Sequence, residues 1–347
     1  MRSGVRIPLG PPAAQRAGDC PRKRFAVQRI HMTLGRSLFA VTSIAMATVI
    51  ISLIPLQPAS ATGDPVIAAA GDIACDPIDS GFHGGVGTPS RCHEMYTGAE
   101  LVGGAFTAVL PLGDEQYECG GAAAFEQSYD PAWGVDAVKS ISYPAVGNHE
   151  YNTSGGTDCG MGASGYFGYF GAAAGDPTKG YYSYDIGPWH LIALNSNCGH
   201  VTCKAGSAQE IWLANDLATH PNTCTLAYFH HPLYSAGPTT HRAVRPFWDD
   251  LYAAHADVVL NGHKHNYERL TKLNPSGAPD ANGIREIIAG TGGENHSISS
   301  KLYPGTEASD GGHFGILEMT LHPGGYDWQF VSDTGSVIDS GSDACVT

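Results

Sequence analysis

Residues 108–117 read Ala-Val-Leu-Pro-Leu-Gly-Asp-Glu-Gln-Tyr, an apolar run that stops at a glycine and is followed at once by two carboxylates and a phenol. A short apolar run closed by a turn residue marks a buried strand. The pattern recurs along the chain. Val66 to Ala70 runs into Gly71-Asp72, Ala145-Val146 into Gly147-Asn148-His149-Glu150, Thr225 to Phe229 into His230-His231-Pro232, and Val258 to Leu260 into Asn261-Gly262-His263-Lys264-His265. Leu191 to Leu194 and Ile287 to Ala289 are further buried strands by the same reading. Val244, Phe247, Trp248 and Leu251 follow the i, i+3, i+4, i+7 spacing of one helix face, and Gln209 to Leu217 reads as a second helix. After Gly290 the pattern becomes strand and turn without an intervening helix, at Gly315 to Leu321, Tyr326 to Val331 and Val337 to Asp339. Mixed sheet and helix follows. The glycine-rich stretches 81–87 and 154–168 read as long surface loops, and no linker or repeat divides residues 62–347, which are expected to form one domain.

Loops at the carboxyl ends of strands in an open α/β sheet converge on one crevice, so residues far apart in sequence can share a site. Five such ends here deliver aspartates, a tyrosine, an asparagine and several histidines. A single Gly-Asp is an ordinary turn and a lone histidine an ordinary polar residue; five strand ends carrying such groups together are not explained that way. Oxygen and nitrogen donors without thiolate suit Fe, Zn or Mn rather than an iron-sulfur centre or Cu(I). Seven donors exceed one tetrahedral zinc, but one carboxylate shared between two ions gives each four. A phenolate, hard and anionic, favours a trivalent ion such as Fe(III).

Composition sets the surroundings. The 347 residues are 42% hydrophobic and 15% charged, which excludes wholesale disorder. Residues 1–61 hold eight of the 19 Lys and Arg and a single acid, Asp19, so residues 62–347 carry 11 basic against 32 acidic side chains, a formal net of −21. Such a body repels nucleic acid and anionic lipid, and any phosphate it handles must be drawn by a local positive source. Residues 1–61 read as a leader: a basic stretch, an uncharged run over residues 38–54, then Pro55, Pro58 and Ala59-Ser60-Ala61, which fits a secretory signal cleaved after Ala61, with Met32 as a more ordinary start. The alternative is a membrane anchor through residues 38–54. Without Cys20, eight cysteines remain, and an even number in an exported chain implies four disulfides, of which Cys75 with Cys92 and Cys198 with Cys203 close the shortest loops.

Asp72, the GDEQY stretch ending at Tyr117, GNHE at 147–150, His-His-Pro at 230–232 and GHKHNYER at 262–269 resemble the ordered motifs of the calcineurin-like metallophosphoesterases, and Asp-x-x-Tyr resembles their purple acid phosphatase branch. The resemblance covers residues 65–293. It implies a four-layer α/β/β/α sandwich of two mixed sheets flanked by helices. It also implies a site: Asp72, Tyr117 and His265 on a first ion, Fe(III); Asn148, His230 and His263 on a second, Fe, Zn or Mn; and Asp114 bridging them. His231 is the fallback for His230. Ala74 stands where the wider family often has histidine, as in the tyrosine branch, and the amino-terminal β domain of plant-type relatives has no counterpart in the ten residues between Ala61 and Asp72.

The expected reaction is hydrolysis of small phosphate monoesters by in-line attack of metal-bound hydroxide. His149 is the candidate to contact the phosphoryl oxygens and protonate the leaving group, and His241 a further substrate contact. Glu150, Tyr267 and Arg269 are expected to orient the site. The same motifs admit a phosphodiesterase or nucleotidase, because leaving-group recognition belongs to loops. Two other classes remain, a secreted non-catalytic binding protein and a calcium-stabilised module using Asp72, Asp76 and Asp79; the latter lacks an EF-hand-like loop.

Overall fold

The structure is a computed structural model that describes residues 63–220, 224–237, 241–299 and 301–346. The expected leader, its cleavage point after Ala61 and the start at Met32 lie outside those residues.

Strands come first in the argument because they carry the site. Sheet one has the order β12-β11-β10-β1-β2, built from β1 (Val66–Ala70), β2 (Ala108–Pro111), β10 (Gly315–His322), β11 (Gly325–Ser332) and β12 (Val337–Ala344). Within it β1 and β2 are parallel and the rest antiparallel. Sheet two has the order β3-β4-β5-β6-β8-β7-β9, from β3 (Tyr182–Ile186), β4 (Trp189–Ala193), β5 (Cys224–Tyr228), β6 (Val258–Asn261), β7 (Tyr267–Leu273), β8 (Ile284–Ala289) and β9 (Thr306–Asp310). Its centre, β4-β5-β6-β8, is parallel. The strands β1, β2, β5 and β6 are buried almost throughout, as parallel strands covered on both faces must be.

Alternate residues of each sheet face one shared core: Ile67, Ala69 and Leu110 from sheet one meet Leu191, Leu226, Leu260 and Ile287 from sheet two. The outer face of sheet two is covered by α6 (Ala208–Thr219) and α7 (Arg245–Ala253), which bury Leu213, Leu217, Phe247, Trp248 and Leu251. The outer face of sheet one is covered by α1 (Glu94–Gly103), by α2 (Ala122–Ala124) continuing through a π turn, Phe125–Tyr129, into α3 (Asp130–Ala132), by α4 (Asp136–Lys139) and by α5 (Ser164–Phe170). Two mixed sheets back to back with helices outside each are the expected four layers.

Both expected helices and most expected strands are present near their expected ends, but Ala145-Val146 forms no strand, β8 begins earlier, at Ile284, and β12 continues beyond Asp339 to Ala344. The glycine-rich stretch 154–168 is not loop throughout: α5 begins at Ser164, held by burial of Tyr166 and Phe170 against Phe125 and Tyr129. Four disulfides are formed, Cys75–Cys92, Cys119–Cys159, Cys198–Cys203 and Cys224–Cys345. Among the described residues no helix is long and apolar enough to cross a membrane.

Candidate metal centre

The parallel strands of both sheets end at the same edge, and every donor named from sequence lies on the loop that leaves such an end or beside it. Two of these loops interlock through glycine. Gly113 takes φ +89°, and a Cβ there would strike the His230 ring; a Cβ on Gly147 would strike the Asp114 backbone. Asp72, Asp114 and His263 themselves sit at φ 58°, 51° and 69°, a left-handed conformation that non-glycine residues rarely adopt. Backbone bonds fasten these turns: Gly71 N–H donates to Ala289 O across the sheets (2.8 Å), and His263 N–H donates to Asp72 Oδ2 (2.7 Å).

One group of donors surrounds Tyr117. Its hydroxyl lies 2.8 Å from Asp72 Oδ1, 3.0 Å from His265 Nε2 and 3.2 Å from Asp114 Oδ2, and His265 Nε2 is 3.1 Å from Asp72 Oδ1. The other surrounds His230, whose Nε2 is 3.0 Å from Asp114 Oδ2, 3.1 Å from Asn148 Oδ1 and 3.2 Å from His263 Nδ1. The same Asp114 oxygen belongs to both groups. His230 is fixed by donating from Nδ1 to Leu112 O (3.0 Å), whereas His231, which also offers a donor within 4.8 Å of those of His230 and His263, pairs its Nδ1 with Ser196 Oγ (2.9 Å).

The residues fit paired cations. Donor separations near 3 Å are the edges of a coordination polyhedron whose bonds are about 2.1 Å long. Asp72 and Asp114 are 0% and 2% exposed, and buried charge must be compensated. Burial alone would raise both carboxyls, but the charge of His265 on Asp72 and of His230 on Asp114 outweighs it and holds both below the ordinary range. The partners respond in kind. Against burial, Asp114 and Asp72 raise His230 to about 9, and Asp72 with Glu294 raises His265 to about 11. Burial and the charges of Asp72 and Asp114 push the Tyr117 phenol well up. Without metal, His230 and His265 collect protons, as a site built for positive charge would, whereas burial and the charge of His230 push His263 down to about 3.

His149 and His241 flank this cluster. His149 Nδ1 lies 2.9 Å from Glu118 O, and its Nε2 is 4.0 Å from Asp114 Oδ2; its ring packs on Tyr117 with centroids 4.1 Å apart. His241 Nε2 lies 3.0 Å from His263 Nε2. Glu150 supports the site as expected, but Tyr267 and Arg269 are remote from it: both bind Asp339, tying β7 to β12. Sequence reading passed over Glu294 and Asn295, whose oxygens hold His265 Nδ1 at 3.2 and 2.6 Å. Asp76 spends its carboxylate on Thr157 and the Ile78 amide, which leaves the calcium-module idea without its ligands.

Comparison with known proteins agrees with this geometry. The family model for calcineurin-like phosphoesterases matches residues 101–267. Purple acid phosphatase 18 of Arabidopsis thaliana is 30% identical over 138 residues, covering 37% of this chain and 30% of that protein. A purple acid phosphatase from yellow lupin (Lupinus luteus) seeds superposes with a TM-score of 0.61 at 18% identity, covering 81% of this chain and 53% of that one. A dimetal phosphatase from Danio rerio gives 0.53 at 13% identity, covering 82% and 100%. The chain spans about a third of the length of the curated relatives it matches. Fold, motif order and matches make the chain similar to the calcineurin-like phosphoesterases, with residues 101–267 carrying the match. Within them its likeness is to the purple acid phosphatases.

Proposed function

We propose that the protein is an exported phosphoesterase that hydrolyses small phosphate monoesters at a dinuclear centre. The observation that carries this reading is the single Asp114 oxygen common to two donor sets. Asp72, Tyr117 and His265 would hold one ion, Fe(III) by the phenolate argument; Asn148, His230 and His263 would hold the other, Fe, Zn or Mn; Asp114 would serve both. Ions bound there supply positive charge that neutralises phosphoryl oxygens and makes water nucleophilic near neutral pH.

The chain's own groups do the rest. His149 presents Nε2 on the open side of Asp114 while the Glu118 carbonyl fixes Nδ1, so a proton on Nε2 can pass to the departing alkoxide as water attacks phosphorus from the opposite side. His241 holds the Nε2 edge of His263, which orients that ring and leaves Nδ1 for the ion. The disulfides suit the oxidising exterior that the leader implies.

Elemental analysis of the purified protein, with a monoester and diester panel, tests the reading. Wild type is expected to carry close to two metals and to prefer monoesters; faster diester cleavage would favour the phosphodiesterase reading. Asp114→Asn should lose metal and hydrolysis together, and full activity with unchanged metal would refute the shared ligand. Iron-loaded Tyr117→Phe should lose the visible absorption of the wild type; an unchanged spectrum would remove the phenolate.

A further inference from the structure

Beside the metal centre opens a cleft of about 350 Å³, which shares Asn148 and His241 with it. Its size falls in the range of small-molecule pockets. On a chain with 33 Asp and Glu, no acidic side chain and no Lys or Arg is among the described residues lining this cleft. Two features give it shape. The rings of Tyr151 and His200 lie stacked, 4.1 Å apart and 14° from parallel, and His200 is exposed. The platform is prebuilt: Asn195 Nδ2 donates to the Tyr151 hydroxyl (3.0 Å), and His200 sits in the short loop that Cys198–Cys203 closes, its N–H donating to Asn197 O (2.8 Å). Asn197 commits both amide hydrogens, to Val146 O and Asn195 Oδ1, so it has only its acceptor oxygen to offer; Asn152 gives one to Glu118 O and keeps its oxygen as an acceptor beside one remaining N–H.

We infer that this cleft receives the alcohol half of the ester and selects an uncharged one with a flat ring and hydrogen-bond donors, which makes nucleoside 5′-monophosphates the favoured substrate class. The inference rests on the phosphoesterase reading above and specifies its substrate. A base can stack on the outer face of His200, an interaction common to aromatic side chains that bind bases. The ribose and base donors meet the Asn152 and Asn197 oxygens. A charged alcohol half gains no counterion in a neutral cleft and loses solvation.

Adenosine 5′-monophosphate and ribose 5-phosphate present the same reacting centre with and without the base. Wild type should show kcat/KM about tenfold higher for the nucleotide, the scale of one base stacked on an aromatic ring. His200→Ala should bring the nucleotide down to ribose 5-phosphate while leaving the latter unchanged. Adenosine itself, followed by ligand-observed NMR, should bind wild type and bind His200→Ala at least fivefold more weakly, whether or not any ester is hydrolysed. Equal rates on the two esters, or adenosine that ignores the cleft, would overturn the inference. Adenosine bound in the cleft with neither ester hydrolysed would instead sink the phosphoesterase reading alone.

Discussion

Glu150 shows how much of the site is built from groups that never touch it. Its buried carboxylate accepts the backbone N–H groups of Gly147 (2.9 Å), Asp114 (3.1 Å) and Gln116 (3.1 Å), pinning two strand-end loops to each other. Burial and the charge of Asp114 push its carboxyl up to about 7, so the fold accepts an electrostatic penalty to keep the clamp. Glu150→Gln keeps one acceptor oxygen and turns an NH2 toward a backbone donor. We expect it to cost about 1–3 kcal/mol, read as a lower urea midpoint, together with easier loss of metal to a chelator; an unshifted midpoint would reject the clamp. The first sphere of donors is legible in the sequence because each donor follows a glycine or a short apolar run. Glu294 and Asn295 are not, because they meet His265 only after β7 and β8 have folded back, and nothing in Gly292-Gly293-Glu294 marks a strand end.

At the scale of elements, α1 carries a titration of its own. Glu94 opens this helix, where the N-terminal dipole favours a charged carboxylate, yet it is 0% exposed and Oε2 has no partner. Burial wins, and the carboxyl is raised to about 8, with the Ser128 hydrogen bond opposing weakly. A raised carboxyl binds its proton more tightly folded than unfolded. Its contribution is therefore whole below the ordinary carboxylate range, near 4.5, and is lost as pH climbs through about 8. Glu94→Gln removes that loss. The stability difference between variant and wild type, from urea melts at several pH values, should move in the variant's favour between pH 5 and 8, at no more than about 1.4 kcal/mol per pH unit; a difference independent of pH would show Glu94 ionised in the fold. Elements with periodic apolar faces, such as α7, were readable in advance. The helix α5 was not: Ser-Gly-Tyr-Phe-Gly-Tyr-Phe has poor intrinsic propensity, and burial of its aromatic residues overrides it.

The whole molecule is held by two kinds of long closure. Cys224–Cys345 joins the first residue of β5 in sheet two to the segment just beyond β12 in sheet one, across 121 residues, and Val346 N–H adds a bond to Asp257 Oδ1 (2.6 Å). By loop entropy, replacing both cysteines with serine should cost about 5 kcal/mol, against about 2 for the pair Cys198 and Cys203. Thermal melts of the two double variants should rank them in that order, and the reverse order would mean that the short clip carries strain-free packing the long one lacks. Disulfide number followed from counting cysteines, but the long pairing could not, since only the meeting of two sheets brings Cys224 and Cys345 together.

The second closure is the seat of β1, between β2 and β10. Val66 faces Thr320, so the first strand of the body must wait for a neighbour some 250 positions further along. A ribosome needs on the order of tens of seconds to lay down that stretch. Throughout that interval Asp72 hangs from a strand with one flank open, and neither sheet one nor the donor cluster it frames can be finished. Late assembly of this kind leaves the first half of the fold waiting on its last third, so the chain sets only when nearly all of it has been made.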